Sequence, residues 1–170
     1  MHRTFEELAS QEIDRLYHGA LFLRAGEGQA AEDLLLRTLT GAFHAFRKVE
    51  QGTDAARWLE GRMVQAYLSA VSEADSDGAS VEELEVPSPP LMRTVEVDPF
   101  ALHKAAGRVP PRARAALWLV LLRRWKYSEA SRVLETDLDD LKNLLRYRHL
   151  LLTAVLRRPD ERSGTNGDVM

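Results

Sequence analysis

Cysteine is absent from this sequence, which excludes a disulfide framework and any thiolate-ligated metal centre. No run of about 18 apolar residues occurs either, so no membrane insertion is expected and the chain reads as cytoplasmic. The opening MHRTFEELAS is acidic and amphipathic, unlike the basic-then-apolar start of a signal peptide. His2, His18, His44, His103 and His149 show no ligand spacing on a shared helical face, so neither a metal nor another cofactor is expected. A nucleophile elbow, a phosphate-binding glycine loop and a dinucleotide fingerprint are missing as well. A binding protein is therefore expected, not an enzyme.

Basic residues are scarce in one stretch and crowded in another. Residues 73–98 hold only Arg93 against 8 acids, a net charge of −7, whereas residues 101–158 hold 13 basic and 5 acidic side chains, net +8. Residues 1–72 are net −2. A basic block behind an acidic stretch suits a polyanion-facing module or a surface for an acidic partner.

Periodicity predicts helices throughout and no strand. Residues 3–24 carry an apolar stripe at Phe5, Leu8, Ala9, Ile13, Leu16, Ala20 and Leu23, and Gly26 with Gly28 is expected to turn the chain. A second helix is predicted over 30–49 and a third up to about Val71, capped by Thr53 or Asp54. Pro87, Pro89 and Pro90 exclude a helix through the following acidic stretch. Pro110-Pro111 opens a central helix over 112–124 containing LWLVLL, followed by a short helix over 127–134 and a last one over 137–156. A short helix, a tight turn and a longer helix is the helix-turn-helix pattern, whose second helix can enter a DNA major groove. Leu138, Leu141, Leu144 or Leu145, and Leu151 or Leu152 are expected to face inward. The predicted fold class is all-α with two small helical domains. A three-helix N-terminal bundle (1–72) joins a four-helix C-terminal helix-turn-helix domain (99–158) through an acidic, proline-containing linker (73–98), and the tail from 159 is expected to be disordered.

Several stretches, in this order, carry a family resemblance. Ala31-Glu32-Asp33-Leu34 and Arg37-Thr38-Leu39 are similar to A-E-D-L-V-Q-E-T-F, and Thr53-Asp54-Ala55-Ala56-Arg57-Trp58-Leu59 to T-N-x-R-A-W-L. Val109-Pro110-Pro111-Arg112 is similar to L-P-P-R, and Tyr127-Ser128-Glu129-Ala130 with Val133-Leu134 to Y-E-E-I-A-E-I-L. Leu138, Leu141, Lys142 and Leu145 fall on the V, V, K and L of V-G-T-V-K-S-R-L. The chain thus resembles, over roughly residues 8–72 and 100–157, the bacterial sigma factors of the extracytoplasmic-function (ECF) type. The resemblance implies a protein that brings core RNA polymerase to promoter DNA, with an anti-sigma factor as a further partner. It places polymerase binding at Glu32, Asp33, Leu36 and Arg37. It places DNA binding at Lys142, Asn143, Arg146 and Arg148, with Arg123, Arg124 and Lys126 on the flank and Gln65 and Arg62 on the third helix.

The sequence departs from the family's pattern at functional positions. Leu36 and Arg37 replace glutamine and glutamate, Gln65 replaces asparagine, and the basic run after it is missing. Glu135 stands at the turn glycine and Leu144 at an arginine. Asp137 is placed to cap the last helix, with Asp139 and Asp140 in its first turn, where acids suit the helix dipole but repel phosphates. The alternative is therefore a degenerate sigma-like protein that acts through protein–protein contacts, as an anti-sigma decoy or an accessory transcription factor, without promoter opening.

Overall fold

A computed structural model describes residues 4–49, 53–74 and 99–156; the expected linker beyond residue 74 and the expected tail lie outside them. Every regular element among the described residues is helical. None of these helices is long and apolar enough to cross a membrane.

Helix α1 (Phe5–Leu23) starts on a reciprocal cap: Thr4 Oγ1 accepts from the Glu7 N–H, and the Glu7 carboxylate accepts from the Thr4 N–H at 3.0 Å. It ends where Ala25 and Gly26 take left-handed backbone angles, φ 56° and 85°. Gly28, expected in this turn, instead begins α2 (Gly28–Phe46). Helix α3 (Ala55–Ala74) is capped by Asp54, whose Oδ1 accepts from the Arg57 N–H at 3.2 Å. It includes residues 73 and 74, which were expected to open the linker. Leu8, Leu16, Leu34, Leu59 and Met63 are fully buried at the centre of this bundle.

The second half comprises α4 (Pro99–Ala106), α5 (Pro111–Leu117), α6 (Tyr127–Val133), α7 (Leu138–Leu144) and α8 (Arg148–Leu156). Three expectations are corrected here. The central helix is α-helical only as far as Leu117 and then widens into a π-helical turn, Trp118–Leu122, closed by the Arg123 N–H donating to the Trp118 carbonyl at 3.0 Å. A wider turn of this kind rotates the residues that follow it. The last helix is interrupted by a tight 3₁₀ turn at Leu145–Tyr147, so α7 and α8 are separate segments. Leu141, Leu145 and Leu151 are buried, but Leu138 is 48% exposed. Leu138 shares the stripe of Leu141 and Leu145, but as the first residue of α7 it lies at the helix end, where that stripe is left half uncovered.

The halves share one core. The Trp118 ring and the Met63 side chain of α3 both close on Gly19 of α1, leaving no room there for a Cβ. Arg114 of α5 donates to the Leu23 carbonyl at 2.6 Å and to the Val109 carbonyl at 3.0 Å. It thereby satisfies an orphan carbonyl at the end of α1. Burial pulls its guanidinium below the ordinary arginine value.

Candidate nucleic-acid interface

The helix-turn-helix is α6, the turn through Glu135 and Thr136, and α7. The turn forms because Glu135 takes φ 50°, a conformation that favours glycine, so a glutamate here carries strain. Arg112 supports it from α5, its Nη2 donating to the carbonyls of Leu134 and, at 3.2 Å, Glu135. Asp137 then caps α7, its Oδ1 accepting from the Asp140 N–H at 2.7 Å, as its position in the sequence predicted.

Beside this turn opens a groove of about 1450 Å³, whose walls include Arg112, Arg132, Asp140, Asn143, Arg146 and Tyr147. Of the DNA-binding candidates, Asn143 and Arg146 line it. The guanidinium groups of Arg146 and Arg132 make no hydrogen bond or ion pair among the described residues. Acids temper the groove's charge, since Glu135 and Asp137 line it together with Asp140. Lys142 and Arg148 do not line it. Lys142 Nζ is 2.9 Å from Asp139 Oδ1, and that hydrogen bond, reinforced by the charge attraction, raises its ammonium above the ordinary lysine value.

The flank candidates also separate. Arg124, at φ 55°, and Lys126 are exposed. Arg123 is committed elsewhere. Its Nε donates at 2.6 Å to Oε1 of Glu60, and its Nη2 also reaches that oxygen, while Trp125 Nε1 donates to Oε2 at 2.9 Å. Glu60 is 2% exposed; a buried carboxylate needs such donors to offset its desolvation.

Gln65 and Arg62 lie on a second, smaller groove of about 450 Å³ between α3 and α6, with Arg57, Trp58, Trp125 and Arg132 also on its walls. Gln65 is exposed, and Arg62 Nη2 lies 3.5 Å from the Gly41 carbonyl. Arg57 bridges the halves by donating to Glu129 Oε2 at 2.7 Å, and its guanidinium lies over the Trp125 ring at 5.5 Å.

Arg132 and Glu60 were not among the sequence candidates. For Arg132 no spacing signal exists, because its place on both grooves depends on how the halves pack. For Glu60 a signal was present: it begins a stripe with Val64, Tyr67 and Val71, on a side of α3 too apolar for a helix with one buried face.

The polymerase candidates share the outer side of α2. Glu32, Asp33, Leu36 and Arg37 are all exposed, Leu36 at 67%. Gln29 Nε2 donates to Asp33 Oδ1 at 3.3 Å, and Arg37 approaches Glu73 of α3 at 3.8 Å. Phe43, also exposed, continues this face and meets Phe5 edge-on at 5.6 Å.

These elements define an all-α protein whose three-helix bundle packs against a helix-turn-helix unit. Among solved structures the same architecture is found in the sigma factor RpoE in complex with the anti-sigma factor NepR from Bartonella quintana. The match covers 91% of this chain and 98% of that one, with a TM-score of 0.66 and 21% sequence identity. The fold is thus sigma-factor-like. No known family's sequence profile matches the chain.

Proposed function

We propose that the chain is a sigma-factor-like transcription initiation protein that binds core RNA polymerase and promoter DNA. The observation that carries this is the helix-turn-helix itself, in which Asn143, Arg146 and Arg132 line one groove of a sigma-factor-like fold. Arginine offers paired donors to phosphates or to guanine, and asparagine to adenine. Polymerase is assigned to the exposed face of α2, where Glu32 and Asp33 supply charge and Leu36 supplies apolar area. On this reading the protein acts in the cytoplasm, where its targets are.

The test pairs co-elution of the full chain with core polymerase and binding to labelled duplex DNA across a salt series. Co-elution and a steep salt dependence are expected, and the absence of both would refute the proposal. Arg146→Ala should weaken duplex binding by about 1–3 kcal/mol if it reads a base, or flatten the salt slope by about one if it holds a phosphate.

A second reading has its own support. Asp139 occupies Lys142, Glu60 occupies Arg123, and acids line the main groove, all of which weaken attraction for phosphates. The related fold has been seen bound to an anti-sigma factor. A chain that captures such a factor yet fails to drive promoter-specific transcription with core polymerase would establish this reading in place of the first.

A further inference from the structure

The smaller groove, between α3 and α6, carries a charge imbalance that its own side chains leave open. Three arginines, Arg57, Arg62 and Arg132, line its roughly 450 Å³ together with two carboxylates, Asp54 and Glu129. Both carboxylates turn to the same arginine. Arg57 Nη1 is 2.7 Å from Glu129 Oε2, and Arg57 Nε is 3.9 Å from Asp54 Oδ2. Arg57 also lies over the Trp125 ring, so it belongs to the frame of the groove. Arg62 and Arg132 are left over. The Arg132 guanidinium has no partner among the described residues. Arg62 has the Gly41 carbonyl at 3.5 Å, beyond the usual range of such a hydrogen bond.

A lone arginine of this kind is ordinary solvated surface. Two of them, brought to one groove from segments distant in sequence, repel each other and gain from an anion placed between them. Guanidinium forks match phosphate oxygens in pairs. The remaining walls suit more than a bare ion. Trp58 is half-buried, packed on Phe46 at 6.1 Å, and supplies an aromatic wall. Gln65 is exposed and brings both an amide donor and an acceptor, while Glu129 Oε1 has no partner among the described residues and can accept from an N–H. An aromatic wall with a few polar groups, in a groove of this size, is the usual make-up of a small-molecule site. Ring, hydrogen-bonding edge and phosphate, joined in one small molecule, describe a nucleotide.

A nucleic-acid strand fits less well. Its successive phosphates would have to pass Asp54 and Glu129, which repel them.

We propose that the groove between α3 and α6 binds a free nucleoside diphosphate, with its phosphates on Arg62 and Arg132 and its base against Trp58. This goes beyond the proposed function and does not rest on it, and it gives Arg62 and Gln65 a ligand other than promoter DNA.

The experiment uses the full chain at low salt. ADP and GDP are titrated calorimetrically into wild type, Arg62→Gln, Arg132→Gln and Lys48→Gln, with helicity checked by circular dichroism. Lys48 is exposed and lies on neither groove, so its variant controls for the loss of one positive charge. Inorganic phosphate, ribose phosphate and a short single-stranded oligonucleotide are titrated in parallel.

At least one of the two nucleotides should bind. Arg62→Gln and Arg132→Gln should each weaken it about tenfold or more, the loss expected of a charge-assisted hydrogen bond, while Lys48→Gln leaves it unchanged. Ribose phosphate should bind about tenfold more weakly than the nucleotide, because it lacks the ring that stacks. Absence of binding by both nucleotides at about 1 mM overturns the proposal. An equal loss in Lys48→Gln overturns it too, since the attraction would then be one of net charge alone. Inorganic phosphate or ribose phosphate that binds as tightly as the nucleotide removes the base contact and refutes the assignment to a nucleotide. An oligonucleotide that binds more tightly, and loses that binding in both arginine variants, would give the groove to single-stranded nucleic acid instead.

Discussion

Gly19 and Trp118 meet so closely that a Cβ at position 19 would lie 2.5 Å from Cζ2 of the indole and 2.7 Å from Cε of Met63. The methionine end can move, but Trp118 is buried and held between the halves. Gly19→Ala gains helix propensity of about 1 kcal/mol and meets an overpacking cost of about 1–3 kcal/mol, more where backbone must shift. We expect a net loss of roughly 1–2 kcal/mol, read as a lower urea midpoint. An unchanged or higher midpoint would show that the junction yields easily.

Glu135 should respond in the opposite direction. Its φ of 50° costs a residue with a Cβ about 1–2 kcal/mol, a cost that glycine avoids at some expense in unfolded-state entropy. Glu135→Gly is expected to stabilise the fold by about 1 kcal/mol, because the backbone carbonyl that accepts from Arg112 is retained. Urea unfolding at constant slope is the measurement. A loss of stability would mean that the glutamate side chain contributes more than its strained backbone costs.

Asp139 and Lys142 should show their pairing in salt dependence. Asp139→Asn removes an acid from the first turn of α7 and releases the Lys142 ammonium. If α7 faces DNA, the variant should bind duplex more tightly at low salt, and its log–log salt slope should steepen by about one. An unchanged slope would place Lys142 away from the phosphates.

Acidification should destabilise the chain through His103. Burial, and then the neighbouring His18 of α1, hold its imidazole below the ordinary value, so the folded state favours the neutral ring. The unfolded ring titrates near about 6.5. The stabilisation is therefore complete above that pH and is lost as pH falls from there through the lower folded value. Unfolding midpoints at pH 7.5 and below pH 6 should differ more for wild type than for His103→Gln. Equal differences would assign the acid sensitivity to other groups.

Much of the fold was legible because it depends on local rules. The stripe through Leu8, Leu16, Ala20 and Leu23 marks α1, and Asp54 and Asp137 cap the helices that follow them. Leu138 was misplaced because it stands at the uncovered end of the stripe it shares with Leu141 and Leu145, and periodicity does not report where a stripe stops being covered. The π-helical turn at Trp118 has no compositional mark, since LWLVLL suits a buried helix of either width. The candidate site was less legible than the fold. Asn143 and Arg146 share a groove with Arg132, while Arg123 faces Glu60. Such pairings are set by the packing of segments distant in sequence, which periodicity cannot report.

Arg132 borders the large groove beside α7 and the small one beside α3. Its guanidinium can turn toward only one of them at a time. An anionic ligand that recruits it into one groove removes it from the other, so occupancy of each groove lowers affinity at its neighbour by a common factor. If both grooves take anions, the two sites compete for one side chain, and Arg132→Ala would make them independent.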